Sequence, residues 1–127
     1  MTRRVGVDEA RAFFVHPSQL RGSMLENADD LHPGLDFIAD GPVCMGFHAA
    51  PWPDALFCHL GVMPSGWGST TEPVGRILAA CGASTVVAWV KADNRAVRAL
   101  GRRCGFIEIG QIIGGAAVML EWRQTCR

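Results

Sequence analysis

An apolar run over residues 55–63 passes through a glycine- and hydroxyl-rich loop straight into an amphipathic helix, and that order commits the chain to an α/β architecture. The run is long and apolar enough to be a central strand covered on both faces. Pro64-Ser65-Gly66-Trp67-Gly68-Ser69-Thr70-Thr71 forms the loop. After it Val74, Ile77, Leu78 and Cys81 recur at i, i+3, i+4, i+7, Pro73 sits in the tolerant first turn, and Gly82 suits the stop.

The flanking sequence reads as one domain over residues 1–127. Val5 and Val7 close a short first strand, Asp8 caps a helix over residues 9–15, and Pro17 ends it. A second short helix is expected over 19–27, with Leu20, Met24 and Leu25 on one face, before the His32-Pro33-Gly34 loop. Residues 35–39 and 43–49 read as strands joined by a hairpin turn at Asp40-Gly41-Pro42, and Pro51-Trp52-Pro53 leads to the central strand. Residues 85–90 form a β-branched buried strand. Asp93 or Asn94 then caps a helix with Val97, Leu100 and Cys104 inward and Arg95, Arg98 and Arg102 outward, stopped by Gly105. Residues 106–113, Gly114-Gly115 and residues 116–122 make a closing hairpin. The sum is an α/β domain with one mixed sheet.

Composition excludes several function classes. Lys and Arg total 12 against 12 Asp and Glu, so no bulk basic field recruits nucleic acid or an acidic membrane surface. No apolar run is long enough to cross a bilayer, and the first residues are not a signal peptide. Cys44, Cys58, Cys81, Cys104 and Cys126 are odd in number and form no C-x-x-C pair. They read as reduced thiols of a cytoplasmic protein, mostly small core hydrophobes. His16, His32, His48 and His59 lack H-E-x-x-H or similar spacing, so no metal site is expected.

Leu60-Gly61-Val62-Met63-Pro64 leads into Gly68, and Asn94-Arg95-Ala96-x-x-x-Leu100 runs to Cys104-Gly105-Phe106, with Met119 late in the closing strand. Together these pieces make residues 56–122 resemble the core of the GNAT superfamily of acyl-CoA N-acyltransferases. The sequence also looks like the small divergent members found in tailed-phage genomes. The resemblance implies a GNAT-like single mixed, mostly antiparallel β-sheet with helices on both faces. It implies acetyl transfer from acetyl-CoA, as co-substrate, to an amine on a small molecule or a protein, and it is compatible with a homodimer. The central strand is expected to diverge from the 85–90 strand and open a V-shaped cleft.

In the family the glycine loop grips the coenzyme A pyrophosphate, because a helix N-terminus offers unpaired N–H groups and partial positive charge. Carried onto this chain, the coenzyme-binding set is Gly66, Trp67, Gly68, Ser69, Thr70, Thr71 and Asn94. The strand backbone at Leu60 and Val62 takes the pantetheine arm and the thioester carbonyl. The family's arginine or glutamine, glycine, and glycine or alanine slots hold Trp67, Thr70 and Glu72 here. The hydroxyls of Ser69, Thr70 and Thr71 supply donors. Glu72 is worse, since a carboxylate close to phosphate costs on the order of several kcal/mol at an effective dielectric near 20. Either it points away, or the loop is re-registered with Gly75 nearer the ligand, or the site no longer binds coenzyme A. The bland alternative is that Glu72 and Pro73 simply begin a stable helix.

Acyl transfer needs a base for the amine's proton and a proton for the leaving thiolate. His59, the histidine on the central strand, is the first candidate base, set against a core histidine satisfied by a backbone partner. Asp54, just before that strand, is the second, set against a solvated turn residue. The family's tyrosine acid slot holds Gly101, and the chain has no tyrosine. Cys104 is the remaining donor, set against a structural cysteine. Arg95, Arg98, Arg102 and Arg103 make a basic helix face, either solvated or helping, with Arg76, to hold phosphates. Trp52 and Trp67 flank the expected cleft. Two functions therefore stand: an N-acyltransferase, favoured by Val62-x-Pro64, Gly68 and Asn94, and a GNAT-shaped binding or structural module without catalysis, favoured by Trp67, Glu72 and Gly101. An unrelated nucleotide-binding domain is a poor third, because no G-K-[ST] follows the loop.

Overall fold

The computed structural model describes residues 2–14 and 34–124. The alternating segments become β1 (Thr2–Val5), β2 (Asp36–Asp40), β3 (Val43–Ala49), β4 (Ala55–Val62), β5 (Thr85–Lys91), β6 (Ile107–Ile112) and β7 (Ala117–Arg123). They join one seven-stranded sheet in the order β1-β2-β3-β4-β5-β7-β6. Every neighbouring pair is antiparallel except β4 and β5, which run parallel. The helices are α1 (Val7–Phe14), α2 (Thr71–Ala80) and α3 (Arg95–Arg103). This is the mixed, mostly antiparallel sheet that the resemblance implies.

Strand alternation sends neighbouring side chains of β4 to opposite faces. Leu56, Cys58, Leu60 and Val62 pack with Val74, Ile77 and Leu78 of α2 and Leu100 of α3. On the other face α1 lays Ala10, Phe13 and Phe14 against Phe37, Ala39 and Cys44. Helices therefore cover both faces. Gly61 lets α1 come this close: a Cβ there would lie 2.9 Å from the Phe13 carbonyl oxygen.

Local signals account for most boundaries. Gly82, at φ 84°, and Gly105, at φ 96°, follow α2 and α3 in the left-handed conformation that glycine adopts without strain. Asn94, not Asp93, caps α3, its Oδ1 accepting the Val97 N–H at 3.2 Å. Val7 does not extend the first strand. The Ala10 N–H bonds to the Gly6 carbonyl at 2.9 Å, so helical bonding starts early and leaves Asp8 and Glu9 in the first turn, where the helix dipole favours them. Asp40 belongs to β2 rather than to the turn, which shrinks to Gly41 and Pro42. The helix expected over 19–27 lies outside the described residues.

Asp40 is the one buried charged side chain among the described residues, 2 % exposed. Arg76 of α2 donates to it from Nε at 2.8 Å and from Nη2 at 2.9 Å, and the Thr2 hydroxyl of β1 adds a bond at 2.8 Å. One carboxylate thus ties α2 to the sheet's first two strands. The Arg76 bonds, outweighing burial, lower its pKa from 3.8 to about 2. A folded pKa below the unfolded one means the contribution is complete above the unfolded value and is lost as pH falls through the folded one. It amounts to about 2 kcal/mol. Urea unfolding of Asp40→Asn should therefore show lower stability at neutral pH and a weaker decline between pH 5 and pH 2 than the wild type; identical declines would contradict this assignment.

Candidate functional site

The parallel ladder between β4 and β5 pairs Ala55 with Thr85, Leu56 with Val86 and Phe57 with Val87, and then stops. β3 continues to pair with β4 up to Val62, and β7 with β5 up to Lys91. Each half of the sheet keeps its own antiparallel partner and twist, so the two halves part from Cys58 and Ala88 onward. The strands thus stop pairing toward their C-terminal ends, as the expected V-shaped cleft requires and where open α/β sheets bind ligands.

The loop after β4 lies at this mouth. Pro64–Gly66 is a turn of 3-10 helix, Gly68 has φ 88°, and α2 begins at Thr71. The two loop glycines serve different purposes. Gly66 is buried, and a Cβ on it would meet Pro42 Cγ at 2.5 Å, so its smallness serves packing on the β2–β3 turn. Gly68 is exposed with open space about it, so its positive φ is the requirement. Thr70 precedes α2 but its side chain makes no capping bond, and Pro73 carries no N–H. Arg103, from the end of α3, donates from Nε to Thr71 Oγ1 at 3.3 Å. Trp67 and Ser69 are exposed. Glu72 is 89 % exposed and reaches along the helix to Arg76, at 4.0 Å, rather than across its start.

Leu60 and Val62 turn their side chains into the apolar cluster, so what they offer a ligand in the cleft is backbone. Asn94 stands beyond the C-terminal end of β5 as the cap of α3. Of the basic residues, Arg76 is held by Asp40 and Arg98 by Glu108, with Nε and Nη2 bonds of 2.7 and 3.0 Å. Arg103 is the one placed against the loop–helix junction.

His59 lies just past the fork, on the face that α1 covers, in line with Phe57 and Gly61. Its Nε2 is 3.3 Å from the Nε2 of His48 on β3. His48 tilts over Phe57 with ring centroids 5.3 Å apart, and Trp52 meets Phe57 edge-on at 5.7 Å. Four rings thus form a row from exposed Trp52 to half-buried His59. Across the fork, Trp89 holds the matching position on β5. Asp54 sits at the closed end of the fork, exposed and with φ 53°, and its carbonyl accepts the Thr85 N–H at 3.3 Å and the Ser84 hydroxyl at 3.2 Å. The Cys104 thiol contacts the Thr71 carbonyl at 3.8 Å, joining the end of α3 to the start of α2. Burial pushes this thiol's pKa up, opposed by Arg103, so it stays protonated. Burial likewise raises Cys44 and Cys58 to about 12, as suits core residues. A Cβ on Gly101 would meet Leu120 Cδ1 at 2.9 Å, so Leu120 packs directly against this glycine.

Sequence reasoning overlooked His48 and the contact of Arg103 with Thr71. The register of β3 on β4 is what puts His48 and His59 on one face. Among the described residues no three His, Cys, Asp or Glu side chains are grouped to hold a metal, and no helix is long and apolar enough to cross a membrane.

No family model matches the sequence, and no curated protein does. Solved structures match over nearly the whole chain. A putative acetyltransferase, yncA, from Salmonella typhimurium, determined with acetyl-CoA, superimposes with a TM-score of 0.71 at 13 % identity, covering 100 % of this chain and 95 % of that one. A spermidine N-acetyltransferase mutant from Vibrio cholerae gives 0.70 at 13 %, covering 97 % and 94 %. An aminoglycoside N(6′)-acetyltransferase from Legionella pneumophila gives 0.73 at 10 %, covering 97 % and 91 %. At these identities the likeness is one of fold: the chain has the fold of the GNAT acetyltransferases.

The approach of α1 to the strand that carries His59 yields a prediction. Gly61→Ala would press a methyl group against backbone that cannot swing aside, and should cost about 1–3 kcal/mol in urea unfolding. An alanine variant as stable as the wild type would show that α1 sits less closely on β4.

Proposed function

We propose that this chain is an acyl-CoA-dependent N-acyltransferase that moves an acetyl group from acetyl-CoA to an amine. The observation that carries the proposal is the fork between β4 and β5, opening beside a helix start that no side chain caps. The N–H groups at Thr71 and Glu72, the hydroxyls of Ser69 and Thr71 and the Arg103 guanidinium form a cradle for the pyrophosphate. Gly68 lets the loop backbone approach it. The backbone at Leu60 and Val62 takes the pantetheine arm and the thioester carbonyl. His59 accepts the amine's proton. The neighbours' names support an amine acceptor, on a small molecule or a protein, and the protonated, unpaired thiols suit a reducing compartment such as the cytoplasm.

Glu72 does not oppose this reading, because its carboxylate extends toward Arg76. A module that keeps the fold without the reaction is the second reading, favoured by Gly101, against which the Leu120 methyl packs. Calorimetric titration with acetyl-CoA separates the two. The enzyme should bind one equivalent, and a flat titration at millimolar ligand would leave the module. Gly68→Asp should weaken binding by about tenfold or more, as it brings a side chain and a negative charge to the closest phosphate approach. Glu72→Ala should change affinity by less than about threefold, since an exposed carboxylate turned from the ligand is well screened. A large gain in the Glu72 variant would instead show the carboxylate facing the phosphates.

A further inference from the structure

His48 and His59 meet in a way that ordinary packing does not require. Their ring planes lie within 14° of each other, the centroids are 5.3 Å apart, and the two Nε2 atoms are 3.3 Å apart. The rings therefore face each other through their nitrogen edges rather than stacking over one another. A hydrogen bond at that separation requires one Nε2 to donate and the other to accept, as the tautomers decide. Neighbouring strands hold both rings: β3 and β4 pair Gly46 with His59 and His48 with Phe57, so the two histidines are diagonal neighbours on one face. Gly46, the residue paired with His59, has no side chain, and the Phe37 ring takes the space, since a Cβ there would meet it at 2.8 Å.

We propose that His48 is a positioning residue and proton relay for His59. The proposal rests on the acyltransfer reading and deepens it. The overall reaction of an ammonium acceptor with a thioester gives an amide, a thiol and one surplus proton. The nitrogen forms its bond to the carbonyl carbon, the carbon–sulfur bond breaks, the sulfur leaves with that bond's electron pair and is protonated, and the surplus proton must leave the cleft. In the relay, the amine's proton enters His59 at Nδ1, the nitrogen that the pair does not use. The Nε2 proton of His59 passes to Nε2 of His48, and the Nδ1 proton of His48 passes to water. One proton leaves the amine and one reaches solvent, and both rings end neutral with their tautomers exchanged. Exchange with solvent restores the pair before the next turnover. His48 is the outer member, half-buried and next in the ring row to Phe57 and exposed Trp52.

The test uses the full chain, with acetyl-CoA and a panel of primary amines, and measures both acetyl transfer and acetyl-CoA affinity. His48→Gln keeps a group that can hydrogen-bond to His59 but cannot pass a proton through. It should lower kcat about 10- to 100-fold and leave acetyl-CoA affinity within about twofold of wild type. His48→Ala should lose as much and recover about fivefold or more when free imidazole is added, because a mobile imidazole can take the missing ring's place. A His48→Gln protein with wild-type kcat, or a His48→Ala protein that imidazole does not revive, overturns the relay and leaves acyl transfer standing. A wild type that binds no acetyl-CoA overturns the acyltransfer reading, and the relay with it.

Discussion

The early end of the ladder between β4 and β5 governs much of the rest of the molecule. Two parallel strands that stop pairing after three residues no longer satisfy each other's backbone groups, which must find other partners. The fork neither closes nor drifts apart, because one face of it is plugged. Val62 from β4, Val90 from β5, Leu100 from α3 and Leu120 from β7 belong to a single buried cluster that spans the gap. The other face carries His59 and Trp89 at the fork, with the apolar cluster under α1 reaching it at Gly61.

The sequence shows a basic helix face and no net charge, which alone would suggest a diffuse role. In the fold, Arg76 serves Asp40 and Arg98 serves Glu108, so the arginines that looked available for phosphate are divided between structure and site. Arg103, brought to Thr71 by the end of α3, supplies a positive charge near the place where the family's loop arginine or glutamine is replaced by Trp67. Exposed pairs contribute little to stability in general, whereas the buried Asp40 pair would leave an uncompensated charge if broken. This makes Asp40 the point on which the seating of α2, and hence of the loop before it, depends.

What could be read from the sequence was mostly local. The apolar period of α2, the Asn94 cap and the glycines that end two helices all depend on residues within a few positions of one another, and each boundary came within a residue or two. The fork was expected from the family resemblance, not from any local signal. Asp40 looked like a turn residue because its partners Arg76 and Thr2 lie 36 and 38 positions away. Gly66 and Gly68 looked alike in a glycine-rich loop, yet one fits beneath Pro42 and the other adopts a positive φ. His59 could be singled out by its strand. Its partner could not be weighed until β3 and β4 had a register, and a shift of one residue would have put His48 on the other face.

The missing tyrosine looks like the strongest objection to catalysis, and proton energetics weaken it. A thiol has an ordinary pKa of about 8.5, so the thiolate leaving the acyl carbon is already a tolerable species near neutral pH and can take its proton from water. The acceptor is the more demanding partner. An alkylammonium resembles lysine, with a pKa of about 10.4, and is unreactive until it loses a proton. A general acid at position 101 would assist the easier transfer, while a base on β4 assists the harder one. On the proposed reading, Gly101 in the tyrosine slot, with Leu120 packed against it, forgoes only the less costly contribution. In the proposed reaction, His59 at the fork, with His48 3.3 Å from it through nitrogen, would serve the harder step. On the proposed reading, the departure at Gly101 thus falls on the half of the reaction that water can perform.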